Sequence, residues 1–171
     1  MRKELYKAIC ERLELLYMTT GGDHAVVERG ADVPEGWERL IRHIDLWNHN
    51  VEFIEQEEQW ERPAVFVEFP AFRVMPVKVK PVVRGVDYRA EPTVNLHVVT
   101  DWSGSCSAGS PFREESLRVF DILESIHSVL FGLEGDTFSR FHLAGCQTNH
   151  NHEEIIENIE TYQCVALKHL G

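Results

Sequence analysis

The residues of this chain best suited to covalent chemistry gather in one short stretch, Ser105-Cys106-Ser107-Ala108-Gly109, directly ahead of a segment with helical periodicity. A G-x-S-x-G turn between a strand and a helix lifts a serine above an oxyanion hole. Here Ser105 stands where that motif has its first glycine, and no strand runs straight into the turn. A Cys106 or Ser107 nucleophile would need a histidine held beside it as base, and His97, His127 and His142 are the histidines to consider. The serine and glycine content of residues 101–110 also reads as a flexible loop, and the altered motif favours the loop over a small Cys/Ser hydrolase.

His150-Asn151-His152-Glu153 offers two imidazoles and a carboxylate at strand spacing, where residues two apart share a face and can chelate a divalent ion. Nothing specifies further ligands, so a solvated turn is the simpler reading, and no metal and no cofactor is expected. Gly21-Gly22 lacks the lysine and serine or threonine of a phosphate loop and reads as punctuation. Cys10, Cys106, Cys146 and Cys164 are scattered without a C-x-x-C pair, as free thiols in a reducing compartment would be. No catalytic, cofactor-binding or metal-ligating residue is assigned.

Charge narrows the partners. With 28 acidic against 17 basic residues the net charge is −11, which argues against a nucleic-acid clamp, since that needs a basic face to displace counterions. Trp37, Trp47, Trp60 and Trp102 therefore read as core and interface anchors rather than a base-stacking platform. Glu52, Glu55, Glu57, Glu58 and Glu61 form one acidic run, and Glu153, Glu154, Glu157 and Glu160 another, with the basic segment Arg73, Lys78, Lys80, Arg84 and Arg89 between them. Each run reads as a solvated face; the alternative is that unlike patches meet between subunits. The N-terminus turns amphipathic at once, without the apolar region of a signal peptide, and no apolar run is long enough to span a bilayer.

These residues need elements to position them, and 171 residues suffice for one α/β domain, 1–171, with a sizeable core. Leu5, Ile9, Leu13 and Leu16 predict an amphipathic helix over 3–17. Gly21, Gly22, Gly30, Pro34 and Gly36 predict a surface loop. Residues 40–47 alternate as a half-buried strand, with a short helix possible at the Trp37 end, and Val51 to Arg62 forms a short helix or an ordered loop. Pro63-Ala64-Val65-Phe66-Val67-Glu68-Phe69-Pro70 reads as a buried central strand closed by proline at both ends. The valines and lysines of 71–92, broken by Pro76, Pro81 and Pro92, predict an edge hairpin or protruding arm. Thr93 to Asp101 predicts a second central strand, paired with 64–69.

Ser110 then serves as N-cap and Pro111 as first residue of a helix that buries Leu117, Phe120, Leu123, Ile126 and Leu130 and stops at Gly132. Two more strands follow, Phe138 to Thr148 and Ile155 to Lys168. The order predicts an α+β fold, with a single mostly antiparallel β-sheet, two main helices packed on one face, and a protruding hairpin arm at about 71–92.

As an order of elements, nearly the whole chain resembles the tail terminator, or tail completion, proteins of tailed bacteriophages. The features that carry the likeness are the first helix, the strand at Ile41–Trp47, Pro63-Ala64-Val65-Phe66-Val67, the arm, the Thr93–Asp101 strand, the Leu117–Leu130 helix and the closing Tyr162-Gln163-Cys164-Val165. The resemblance implies a non-enzymatic subunit of a phage or prophage virion, assembled in the bacterial cytoplasm. It implies a ring, usually hexameric, that caps the tail tube protein and joins it to the head–tail connector protein, with DNA passing only as cargo; a neighbouring neck protein would share these needs. An acidic lumen would let DNA slide, and Lys78, Lys80 and Arg84 of one subunit would then face Glu55, Glu57 and Glu58 of the next.

Overall fold

The computed structural model describes residues 1–51, 60–77, 86–149 and 154–170. Its elements in chain order are α1 (Arg2–Leu13), β1 (Leu16–Met18), β2 (His24–Val26), β3 (Glu38–Arg39), β4 (His43–Leu46) and β5 (Ala64–Glu68). They continue with β6 (Val74–Val77), β7 (Val86–Ala90), β8 (Thr93–Asp101), α2 (Arg113–Leu130), β9 (Phe138–Asn149) and β10 (Ile155–Leu170). The fold is α+β. Among the described residues no helix is long and apolar enough to cross a membrane.

The strands form two sheets where the sequence pattern predicts one. A small antiparallel sheet runs β2-β1-β3, with Leu16 opposite Val26 and Tyr17 opposite Arg39. Leu16, the expected last turn of the first helix, is instead the first residue of this sheet. The glycine-punctuated loop thus contains two strands, each too short for an alternation to register.

In the large sheet β10 is the hub. Glu157 to Gln163 pair with β8 on one edge and, through two register shifts, with β9 on the other. Further along, Ala166 pairs with both Ala90 of β7 and Phe138 of β9. β7 and β8 therefore run end to end along one edge of β10, parted by Glu91-Pro92. β5 pairs with β8 (Ala64 opposite Val99) and β6 with β7 (Val74 opposite Ala90), which puts β5 and β6 end to end as well. β4 joins β5 in parallel, His43 opposite Ala64, making the sheet mixed. β6 and β7 are thus integral to the sheet edge, and their connection, including Lys78, Lys80 and Arg84, lies outside the described residues.

The central strands β5, β8 and β10 divide their side chains between two cores, because successive residues point to opposite faces. Val65, Val67, Val94, Leu96, Val98, Tyr162, Cys164 and Ala166 face one way and pack with Leu5, Ile9 and Leu13 of α1 and Leu123, Ile126 and Leu130 of α2. Phe141 of β9 stacks on Tyr162, ring centroids 4.8 Å apart. Each large side chain buried here stabilises the fold by about 1.5–3 kcal/mol. On the other face Ala64, Phe66, Val99, Ile155 and Val51 form a second cluster, covered by Trp47 and Trp60.

The inner face of α2 is as expected at Leu123, Ile126 and Leu130 and departs from expectation over its first two turns. Ser116, Val119, Leu123, Ile126 and Leu130 are buried, whereas Phe120 is exposed. It begins at Arg113, and the Ser110 hydroxyl accepts the Phe112 N–H one turn earlier. Gly132, at φ 68°, takes the left-handed conformation that ends the helix without cost to a side chain.

Candidate functional site: a histidine and carboxylate on each face of the sheet

The two glutamates expected to sit on a solvated face are among the most buried residues of the molecule. Glu157 and Glu160 are each 2% exposed. Three residues apart on a strand, they must point to opposite faces, and each meets a histidine there.

On the face away from the helices, Phe66 of β5 and Ile159 of β10 flank His97 of β8 in register. That spacing puts Glu68, two residues after Phe66, and Glu157, two residues before Ile159, diagonally beside the imidazole. His97 Nδ1 lies 2.6 Å from Glu157 Oε1 and Nε2 lies 3.2 Å from Glu68 Oε2. A doubly protonated ring donates to both carboxylates at once, and a neutral ring to one. Asn149 donates to Glu157 Oε2 at 2.6 Å and Asn95 to Glu68 Oε2 at 2.6 Å, while Thr161 donates to Asn95 Oδ1 at 2.9 Å. The Trp47 ring lies flat on the imidazole, centroids 3.8 Å apart and planes 3° from parallel. With both nitrogens engaged and one face roofed by indole, this histidine is built to hold strands together and offers no room for a substrate.

On the helix-covered face His127 of α2 sets its Nε2 2.7 Å from Glu160 Oε2. Cys146 stands opposite Glu160 on β9. A groove of about 350 Å³ runs beside them, between α2 and the β9–β10 ribbon, with Phe120 and Leu123 on its apolar wall. Asn158, 3% exposed, lines it too, and its amide nitrogen has no hydrogen-bond partner. A cysteine, a histidine and a glutamate together have the composition of a thiol catalytic centre, but the electrostatics run the other way. The hydrogen bond to Glu160, with burial and the nearby negative charge, pushes the Cys146 thiol up to about 11. A nucleophilic cysteine needs the opposite shift. Burial and the same carboxylate also hold the Tyr162 hydroxyl far above its ordinary range.

The loop singled out by its sequence stands apart from both clusters. Cys106 is exposed, and Ser105 and Ser107 bond to each other, Oγ to Oγ at 3.0 Å. His97 and His127 give their hydrogen bonds to the buried glutamates, and His142 Nδ1 turns to the Arg140 carbonyl at 2.7 Å. None of the three hydrogen-bonds to the 103–109 loop. His150, His152 and Glu153 lie outside the described residues, as do Lys78, Lys80, Arg84, Glu55, Glu57 and Glu58. Of the same charged runs, Glu61 and Arg73 are exposed, and Arg89 pairs with Glu91 at 3.0 Å. Among the described residues no three histidine, cysteine or acidic side chains converge as a metal site.

Sequence reasoning missed both histidine clusters. His97 and Asn95 were the available signal, two polar residues on one face of an otherwise apolar strand. No protein-family model matches the chain, and no curated protein sequence matches it.

Proposed function

We propose that this protein is a structural subunit of a tailed-bacteriophage or prophage virion, of the tail-terminator kind. Its copies close into a ring, hexameric in the resemblance that suggests it, that caps the tail tube and joins it to the head connector. It acts by assembly and not by catalysis, and its place of action is the phage tail, built in the bacterial cytoplasm.

The observation that carries the reading is strand β6. Val74, Met75 and Val77 are 50%, 44% and 39% exposed on a strand at the margin of the sheet. An apolar edge on which no further strand pairs among the described residues invites another chain, and Pro76 is of the kind tolerated only at such an edge. At the opposite margin β9 pairs, among the described residues, with β10 alone. Two unlike margins on one sheet suit a front-to-back contact, which closes into a ring when the rotation between copies permits. The net charge of −11 suits a channel through which DNA passes without adhering.

Tail tubes polymerised with and without this protein, imaged by negative-stain electron microscopy, test the reading. A ring at one end of each tube and a halt in tube growth are expected. Met75→Glu, placed on an exposed side chain, is expected to leave the subunit folded and abolish capping. Tubes that grow unchecked and bare-ended in the presence of the native chain would overturn it.

A further inference from the structure

Where the small sheet, the start of α2 and the ends of β8 and β10 meet, they enclose a cavity of about 270 Å³. Its lining reverses the charge of the molecule. Arg39, Arg42, Arg62 and Arg118 line it, against the carboxylates of Asp101 and Glu115 among the described residues, in a chain with a net charge of −11. The arginines come from three parts of the fold. Arg39 and Arg42 come from the end of the small sheet and just beyond it, Arg62 precedes β5, and Arg118 lies in the second turn of α2.

Each guanidinium carries five N–H donors in a planar fork, and each spends few of them on protein. Arg62 gives Nε to Asp101, and Arg42 gives one terminal nitrogen to Glu38. Arg118 gives one to Glu115 at 3.2 Å, and the nearest Arg39 nitrogen is 3.7 Å from Glu14. The carboxylates of Glu14, Glu38 and Glu115 are about half exposed or more. Such exposed pairs are weak and exchange readily for a stronger acceptor.

Donors left unspent around one shared space call for an oxygen-rich anion. Four guanidinium groups exceed what a monocarboxylate needs and match a phosphate dianion, which accepts paired N–H bonds from several sides. Leu40, Pro63, Val119 and Ile122 supply the remaining wall, an apolar surface against which a small carbon skeleton fits. The volume admits a molecule of that size and excludes a dinucleotide.

We propose that this cavity binds a small phosphomonoester, with Arg42, Arg62 and Arg118 holding the phosphate and the apolar wall receiving the organic part. The site lies within one subunit and does not depend on the ring.

Calorimetric titration of the full chain with phenyl phosphate and, separately, with inorganic phosphate tests the assignment. Saturable binding of phenyl phosphate is expected, several-fold tighter than that of inorganic phosphate. Arg62→Gln is expected to weaken it by about tenfold or more. Arg118→Gln repeats the test on an exposed side chain whose replacement leaves the fold intact by circular dichroism. Equal affinity for the two phosphates would overturn the phosphomonoester in favour of free phosphate. Absence of saturable binding up to millimolar concentrations, or binding unchanged in a double Arg62→Gln/Arg118→Gln chain, would overturn the site itself.

Discussion

The two faces of the large sheet carry the same pair of residue types and use them differently. His97 on one face is sealed between Glu68, Glu157 and the Trp47 ring. His127 on the other holds Glu160 at the rim of an open groove, beside Cys146 and the unpartnered Asn158 amide. A buried histidine and carboxylate do not by themselves make a functional site. What differs is whether space and unspent hydrogen-bonding capacity adjoin them, and among the described residues only the helix-covered face has both.

Replacing the histidines one at a time sharpens the comparison most. His97→Ala removes the group that bridges two carboxylates and the ring beneath Trp47, and its expected cost is about 3–5 kcal/mol. His127→Ala leaves Glu160 beside a groove that admits water, and about 1–2 kcal/mol is expected. Urea denaturation of the two variants measures the gap, and equal losses would break the distinction between a sealed and an open cluster.

A reactivity effect separates the faces next. With its thiol held up to about 11 against the ordinary 9.0, Cys146 should be alkylated slowly at pH 8, because the thiolate is the attacking form. Glu160→Gln removes the charge that opposes ionisation, and acceleration by up to about a hundredfold is expected. Mass-spectrometric mapping of iodoacetamide adducts reads the rate at Cys146 apart from that at Cys106. An unchanged rate at Cys146 would mean that Glu160 does not govern the groove.

The smallest expected effect lies where α1 joins the helix-covered core. Burial alone would raise the Glu4 carboxyl, but hydrogen bonds from the Thr137 hydroxyl, the Thr137 N–H and the Asp136 backbone outweigh it and hold the carboxyl below its ordinary 4.5. A carboxylate depressed in the folded state stabilises fully above the unfolded value and loses that contribution as pH falls through the folded one. Glu4→Gln should therefore cost about 0.5 kcal/mol or less at pH 7, solvent screening the exposed carboxylate, and the difference from the native chain should shrink as the pH drops below 4.5. A gap that widens on acidification would contradict the assignment.

Long, regular elements were legible in the sequence. β5, β8, β9, β10 and α2 all lie where their apolar patterns put them, and β5 pairs with β8 as expected. The small sheet was not legible, because strands of two and three residues leave no period to detect and the intervening glycines dominate the reading. The inner face of α2 departed from expectation over its first two turns because Phe120 looks as apolar as Val119, and only the packed structure distinguishes them. The histidine clusters were hidden for a different reason. Glu157 and Glu160 sit in a run of glutamates whose charge suggests solvent, while their spacing of three on a strand sends them to opposite faces. Recognising Glu157 as buried required knowing that His97 lies two residues off in register on β8, a long-range fact that local pattern does not carry.

The central claim is that the open apolar margin at β6 is covered by another copy of the chain in a closed ring. Native mass spectrometry of the full-length protein over rising concentration tests it most directly. A single closed species of defined stoichiometry, six copies by the resemblance, is expected at high concentration, giving way to monomer on dilution and lost in Met75→Glu. A native chain that stays monomeric at every concentration, or a ladder of sizes with no preferred closed species, would contradict it.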